Sequence, residues 1–138
     1  MKYLGLDLGT KTLGLATSDK TGLIATSYKI LRHNEEYDKL IPELADIIKE
    51  QQIDELVLGL PKNMNNTIGE RGEICLAFKE KLEEAFQMPV HMQDERLTTR
   101  QAESLLISND SSRKKRKKVI DSLAATIILQ SYLDRKDR

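Results

Sequence analysis

The stretch that decides the fold is residues 2–31, KYLGLDLGTKTLGLATSDKTGLIATSYKIL. Residues 2–8 (KYLGLDL) read as a short buried strand and Gly9-Thr10-Lys11 as a turn. Residues 13–18 (LGLATS) read as a second strand, Asp19–Gly22 (DKTG) as a second turn, and residues 23–31 (LIATSYKIL) as a third strand. A parallel crossover needs about a dozen residues or more, so links this short make the three strands an antiparallel meander.

Beyond the meander the pattern changes to helices alternating with strands. Tyr37, Leu40, Ile41, Leu44, Ile47 and Ile48 follow helical spacing, which predicts an amphipathic helix over 36–51; Pro42 moves its expected start toward Leu40. A strand over 54–60 (DELVLGL) ends at Pro61, and Lys62–Gly69 is a polar, roomy loop. A second helix over 70–86 is expected to bury Ile74, Phe78, Leu82 and Ala85. Pro89 precedes a short strand, Val90–Gln93. Thr98 and Gln101 fit a capping box opening a helix over 99–107. Residues 108–117 (SNDSSRKKRK) read as a polar, charged connection, and a largely apolar helix follows over about 118–134. Strands reached through helices lie parallel to the first strand. The fold class is therefore α/β, a five-stranded mixed sheet of three antiparallel strands and then parallel ones, flanked by helices.

The 138 residues suit one domain over 1–138, with 39% hydrophobic and 32% charged residues, a globular composition. No apolar run reaches the roughly 18 residues of a membrane span, and the N-terminus enters a strand without a signal-peptide pattern. A cytoplasmic protein is expected. A single cysteine, Cys75, excludes an internal disulfide and a cysteine-based zinc site; on a helix and without an evident His partner it reads as a packing residue. His33 reads as a surface loop residue and His91 as a strand residue, with no metal-ligand spacing between them.

Three carboxylates stand where core or strand-end positions are expected. In the first strand Leu4, Leu6 and Leu8 share one face, and Tyr3, Gly5 and Asp7 the other. A central strand is covered on both faces, so an unpaired Asp7 there would cost several kcal/mol. Gly5 and Gly9 on either side leave room for something to approach. Asp94-Glu95-Arg96 follows the last strand directly, at the carboxyl edge where ligands of open α/β sheets sit. Asp121 shares a helix face with Ala125 and Ile128. Carboxylates meeting at one sheet end repel each other unless protonated or bound to cations. Mg²⁺ or Mn²⁺ suits such oxygen ligands, and a two-metal site activates water against phosphorus. The chemistry reads as phosphodiester hydrolysis.

The net charge of zero hides an asymmetry of +6 over residues 113–138 against −6 over 1–112. The run Arg113, Lys114, Lys115, Arg116, Lys117, Lys118 lies just before Asp121, and Lys11, Lys62, Arg71, Arg96 and Arg100 lie in or beside loops of the same edge. These are candidate nucleic-acid contacts; phosphate contacts supply affinity and little sequence readout.

The motifs GLDLGTK (5–11), GLPKNM (59–64), DERLTT (94–99), KVIDSLAA and ILQSYL (within 118–133) resemble the YqgF/RuvX family of Holliday junction resolvases or pre-16S rRNA nucleases. The resemblance runs nearly end to end and implies an RNase H-like fold and a bacterial cytoplasmic protein. It implies that Asp7, Glu95 and Asp121 are the metal-binding catalytic carboxylates, and that the 59–72 loop borders the substrate cleft. Asn65-Asn66 stands where the family commonly has an Asp-Gly turn, and Glu70 where it commonly has Pro. An RNA precursor is the substrate the resemblance favours, with ribosome-associated factors as partners. Branched DNA is the competing substrate, and symmetric cutting of it would call for a homodimer. Two other readings remain open. Asp7-Leu8-Gly9-Thr10 resembles the phosphate loop of the actin and sugar-kinase superfamily, whose second domain has no counterpart here. A non-enzymatic nucleic-acid-binding module would rest on the basic run alone.

Overall fold

A computed structural model describes residues 1–61, 68–94 and 113–136, and over 113–122 the backbone alone. The strands are β1 (Tyr3–Leu8), β2 (Thr12–Ser18), β3 (Ala25–Arg32), β4 (Glu55–Leu60) and β5 (Val90–Asp94). The helices are α1 (Leu40–Gln51), α2 (Glu70–Phe86) and α3 (Arg113–Lys136). The sheet order is β3-β2-β1-β4-β5. β1–β2 and β2–β3 pair antiparallel, and β1–β4 and β4–β5 parallel. This is the mixed sheet the short turns and helical links predict.

Alternation along the strands divides the core into two layers. Leu4, Leu6 and Leu8 join Leu56, Leu58, Leu60 and Val90 against Leu40, Leu44 and Ile47 of α1 and Cys75, Phe78 and Leu82 of α2. On the opposite face Tyr3, Ala16 and Val57 pack on Ala125, Ile128, Leu129 and Leu133 of α3. Gly5 is what lets α3 lie close: a Cβ there would stand 2.7 Å from Leu129 Cβ and 3.2 Å from the Ala125 carbonyl oxygen. The room expected at Gly5 is thus filled by α3 itself. Tyr3 meets Tyr132 while Gly5 meets Leu129 and Ala125, so α3 runs antiparallel to β1.

Element boundaries follow local chemistry. A single 3₁₀ turn, Tyr37–Lys39, precedes α1, and Pro42 lies in the first helical turn, where no intrahelical donor is lost. Glu70 takes the first helical position of α2, a place proline also fills readily, so the substitution leaves the helix start intact. The buried stripe of α2 is Gly72, Cys75, Phe78 and Leu82; Ile74 is half-buried, and Ala85, expected inside, is exposed. The stripe drifts so that Phe86 packs against the core where Ala85 was expected. β3 begins at Ala25 rather than residue 23, because the Asp19 carboxylate accepts the Leu23 and Ile24 N–H groups at 2.9 and 3.0 Å and holds both in the turn. α3 begins at Arg113 and not near 118, so the basic run is helical; Lys and Arg are good helix formers and no Gly or Pro interrupts them. The helix expected over 99–107 lies outside the described residues. Among the described residues no helix is long and apolar enough to cross a membrane.

Candidate functional site

The carboxyl ends of β1, β4 and β5 lie along one edge of the sheet. Asp7 is half-buried there, on the α3 face, because its neighbours Leu6 and Leu8 point into the α1–α2 layer. Across the sheet Asp7 pairs with Gly14 of β2. On its other side Leu6 is level with Leu58, so the next step along the parallel strands brings Asp7 level with Gly59, and Gly59 is level with Gln93 of β5. Glycine thus stands on both sides of the carboxylate in this row. Gln93 closes the row; it is 8% exposed and its Oε1 has no hydrogen-bond partner among the described residues. Asp94 falls on the opposite face by the alternation of Val90 and Met92 into the α1–α2 layer, so it does not accompany Asp7.

The turn after Asp7 is gripped from two sides. Gly9 N–H donates to the Thr12 carbonyl at 2.8 Å, closing the turn. His33 Nδ1 accepts the Glu35 N–H at 3.0 Å, so Nε2 carries the proton and donates to the Gly9 and Thr12 carbonyls at 3.0 and 3.2 Å. Glu35 takes a left-handed conformation (φ 64°) to offer that N–H. The His33 ring lies 5.2 Å from that of Tyr37 and is only 8% exposed. The surface position expected for His33 is therefore corrected: two backbone carbonyls and one N–H satisfy it inside the fold. From the other side, Arg71 at the start of α2 donates Nη2 to the Leu8 carbonyl at 3.0 Å. Lys11 stays exposed in the turn.

A family model described as RuvX: Holliday junction resolvase matches residues 1–135. The chain belongs to the RuvX family. A relative from Bacillus cereus (strain AH187) is 53% identical over 137 residues, spanning 99% of this chain and 100% of its own length; its name proposes a pre-16S rRNA nuclease. In structure the RuvX chain is similar to Thermus thermophilus RuvC solved with a Holliday junction substrate, at a TM-score of 0.59 and 13% identity, over 99% of this chain and 96% of that one. That likeness shows the RNase H-like fold. A ROK hexokinase from Thermus thermophilus matches at a TM-score of 0.50 and 22% identity, but the chain spans 75% of itself and only 38% of the kinase.

The structure brings Asp7, Lys11 and Arg71 to the same edge. Of the other expected carboxylates, Glu95 lies outside the described residues, and Asp121 is placed by its backbone in α3, one turn before Ala125. Among the described residues no three His, Cys, Asp or Glu side chains form a cation site. Lys62, Arg96 and Arg100 lie outside the described residues, and Arg113–Lys118 form the first turns of α3. Cys75 is a buried packing residue, as expected. His91 lies in β5 as expected, with Nε2 2.6 Å from Glu55 Oε1 and its ring stacked on Tyr132. Sequence reasoning missed His33 and Gln93. Alternation in Val90-His91-Met92-Gln93 carried a signal for Gln93, since it sets that residue on the face of Asp7.

Proposed function

We propose that this RuvX-family chain is a nuclease, a hydrolase of phosphodiester bonds acting in 5′-end processing of pre-16S rRNA, with a divalent cation at the carboxyl edge of the sheet. The observation that carries the chemistry is Asp7: a half-buried carboxylate flanked by glycines, with an orphaned buried amide oxygen two strands away in the same row. That donor set is all oxygen and suits Mg²⁺ or Mn²⁺. The whole-length relatives point to the rRNA substrate, while the RuvC likeness speaks only for the fold.

Asp7, Glu95 and Asp121 would hold the cation; the antiparallel course of α3 supports this, since residue 121 stands one turn beyond Ala125 toward the Asp7 end of β1. When bound, the cation supplies positive charge for the oxygens of the reacting phosphate and lowers the pKa of water. The chain's own part is positional. His33 and Arg71 fix the carbonyls of Leu8, Gly9 and Thr12, and so the course of the backbone leaving Asp7. Lys11, Arg71 and the basic start of α3 offer cations to the nucleic-acid backbone, with Lys62, Arg96 and Arg100 assigned the same role. The protein works as one domain over 1–138 in the cytoplasm, with precursor ribosomal particles and their factors as its surroundings. Cutting an rRNA end needs one active site, so a homodimer belongs to the junction-cleaving reading.

A paired cleavage assay tests this. A 5′-extended 16S rRNA precursor and a four-way DNA junction are incubated with the protein and Mn²⁺, then with chelator, then with Mn²⁺ restored. The expected result is cleavage of the RNA alone, lost with chelator and regained with the cation. Junction cleavage alone would transfer the assignment to recombination. Binding of RNA without cleavage of either substrate would favour a non-enzymatic module.

A further inference from the structure

Gln93 is the one buried polar side-chain group of the described residues whose acceptor has no partner. Such an atom raises the energy of the folded state, and a leucine of similar size would occupy the position without that penalty. Its neighbour on the same face shows how β5 treats a polar group that serves the fold. His91 is engaged by Glu55 at 2.6 Å and by the Tyr132 ring. At Gln93, level with Asp7, the side-chain oxygen has no such partner. Between Gln93 and Asp7 stands Gly59, which contributes no side chain. Two strand spacings separate them, about 10 Å. That width suits a hydrated divalent ion, since Mg²⁺ sits about 2.1 Å from its oxygens and keeps several waters. Water polarised by a cation is a strong donor. The unmet need at Gln93 is for a donor to Oε1, which a phosphate oxygen cannot supply.

We infer that Gln93 is a positioning residue for the cation: its side-chain oxygen accepts a hydrogen bond from the hydration shell of an ion held by Asp7. This rests on the proposed cation site and adds to it the side opposite Asp7. The role differs from that of the carboxylates, because Gln93 contributes orientation without charge.

Binding of Mn²⁺ alone, without nucleic acid, is measured by calorimetry for the wild-type chain, Gln93→Leu, Gln93→Glu and Asp7→Asn, with the Tm of each cation-free protein. Gln93→Leu is expected to weaken Mn²⁺ binding about tenfold or more and to raise the cation-free Tm, because the orphaned acceptor is gone. Gln93→Glu, which keeps the shape and adds a charge, is expected to tighten Mn²⁺ binding several-fold. A purely structural glutamine would show neither change. Wild-type affinity in both Gln93 variants, with binding lost in Asp7→Asn, would overturn the inference and leave the cation site standing. Undiminished binding in Asp7→Asn would overturn the cation site and the inference together.

Discussion

The two ends of β1 lie about 15 Å apart along one strand and are built to opposite rules. At the Tyr3 end several polar groups are engaged by protein. The Tyr3 N–H donates to Ser18 Oγ at 2.8 Å, and its ring meets the edge of Tyr132 at 5.7 Å. The Lys136 ammonium stands 5.4 Å from the Tyr3 ring centre, and His91 stacks on Tyr132 at 5.0 Å. Burial, with the nearby Tyr3 and Glu55, pushes the Tyr132 hydroxyl above its ordinary pKa. Gln130 bridges this end to the edge of the sheet, accepting the Ala25 N–H and donating to the Leu23 carbonyl, both at 2.9 Å. At the Asp7 end the row has glycines where side chains would fill it, and an amide oxygen waits for a donor. One end uses polar groups to hold α3 down; the other leaves one buried amide oxygen, Gln93 Oε1, without a partner among the described residues. A site that is to receive a cation has to be left incomplete by the protein alone.

Three substitutions sharpen that contrast. The largest effect is expected midway between the two ends. Gly5→Ala puts a methyl 2.7 Å from Leu129 Cβ and against the Ala125 carbonyl, neither of which is the free end of a flexible chain. The cost is expected to be about 1–3 kcal/mol, read by urea unfolding. Unchanged stability would show that α3 is not closely seated on β1.

The second concerns the turn beside the site. His33→Ala removes the donor to Gly9 and Thr12 and the acceptor of the Glu35 N–H. kcat/KM is expected to fall about ten- to a hundredfold, since small displacements of reacting groups are costly. His33→Gln can still donate from the Nε2 position and should recover most of the rate, whereas His33→Asn, which mimics Nδ1, should not. Equal rates in all three variants would remove His33 from the positioning of this turn.

The smallest effect is expected at the turn that belongs to the Tyr3 end. Asp19 accepts the Leu23 and Ile24 N–H groups and the Thr21 hydroxyl, and these bonds, led by that from Ile24, hold its pKa far below the ordinary 3.8. A depressed carboxylate pKa stabilises the fold above the unfolded-state value and loses that contribution as pH falls below it. The Tm difference between wild type and Asp19→Asn should therefore be constant above about pH 4 and narrow below it. The group is exposed, so the difference is expected to be small. A difference independent of pH would separate the turn from the carboxylate's charge.

Much of this arrangement was legible in the residues. The strand alternation around Asp7, the tight turns and the span of α2 depend on neighbours in sequence, and the structure follows them. The starts of β3 and α3 were less legible, because an Asp19 side chain reaching four and five residues ahead and the helix-forming strength of a lysine-arginine run override apolar periodicity. His33 and Gln93 were missed for a different reason. What makes them informative is a partner gained or a partner lacking, and both depend on strands distant in sequence. His33 meets carbonyls 24 and 21 residues away, and Gln93 is defined by a register running through Gly59 to Asp7.

The most direct test of the contrast between the two ends is the rate of Mn²⁺-dependent cleavage of the rRNA precursor by Asp7→Asn, measured beside its Tm. The substitution keeps the shape of the side chain and removes the ionised oxygen. The expected result is a loss of at least about a hundredfold in kcat/KM, the order that follows when a cation worth several kcal/mol to the transition state is no longer held, with a cooperative thermal transition retained. A folded Asp7→Asn protein that cleaves at the wild-type rate would contradict the cation-holding role of this end of β1.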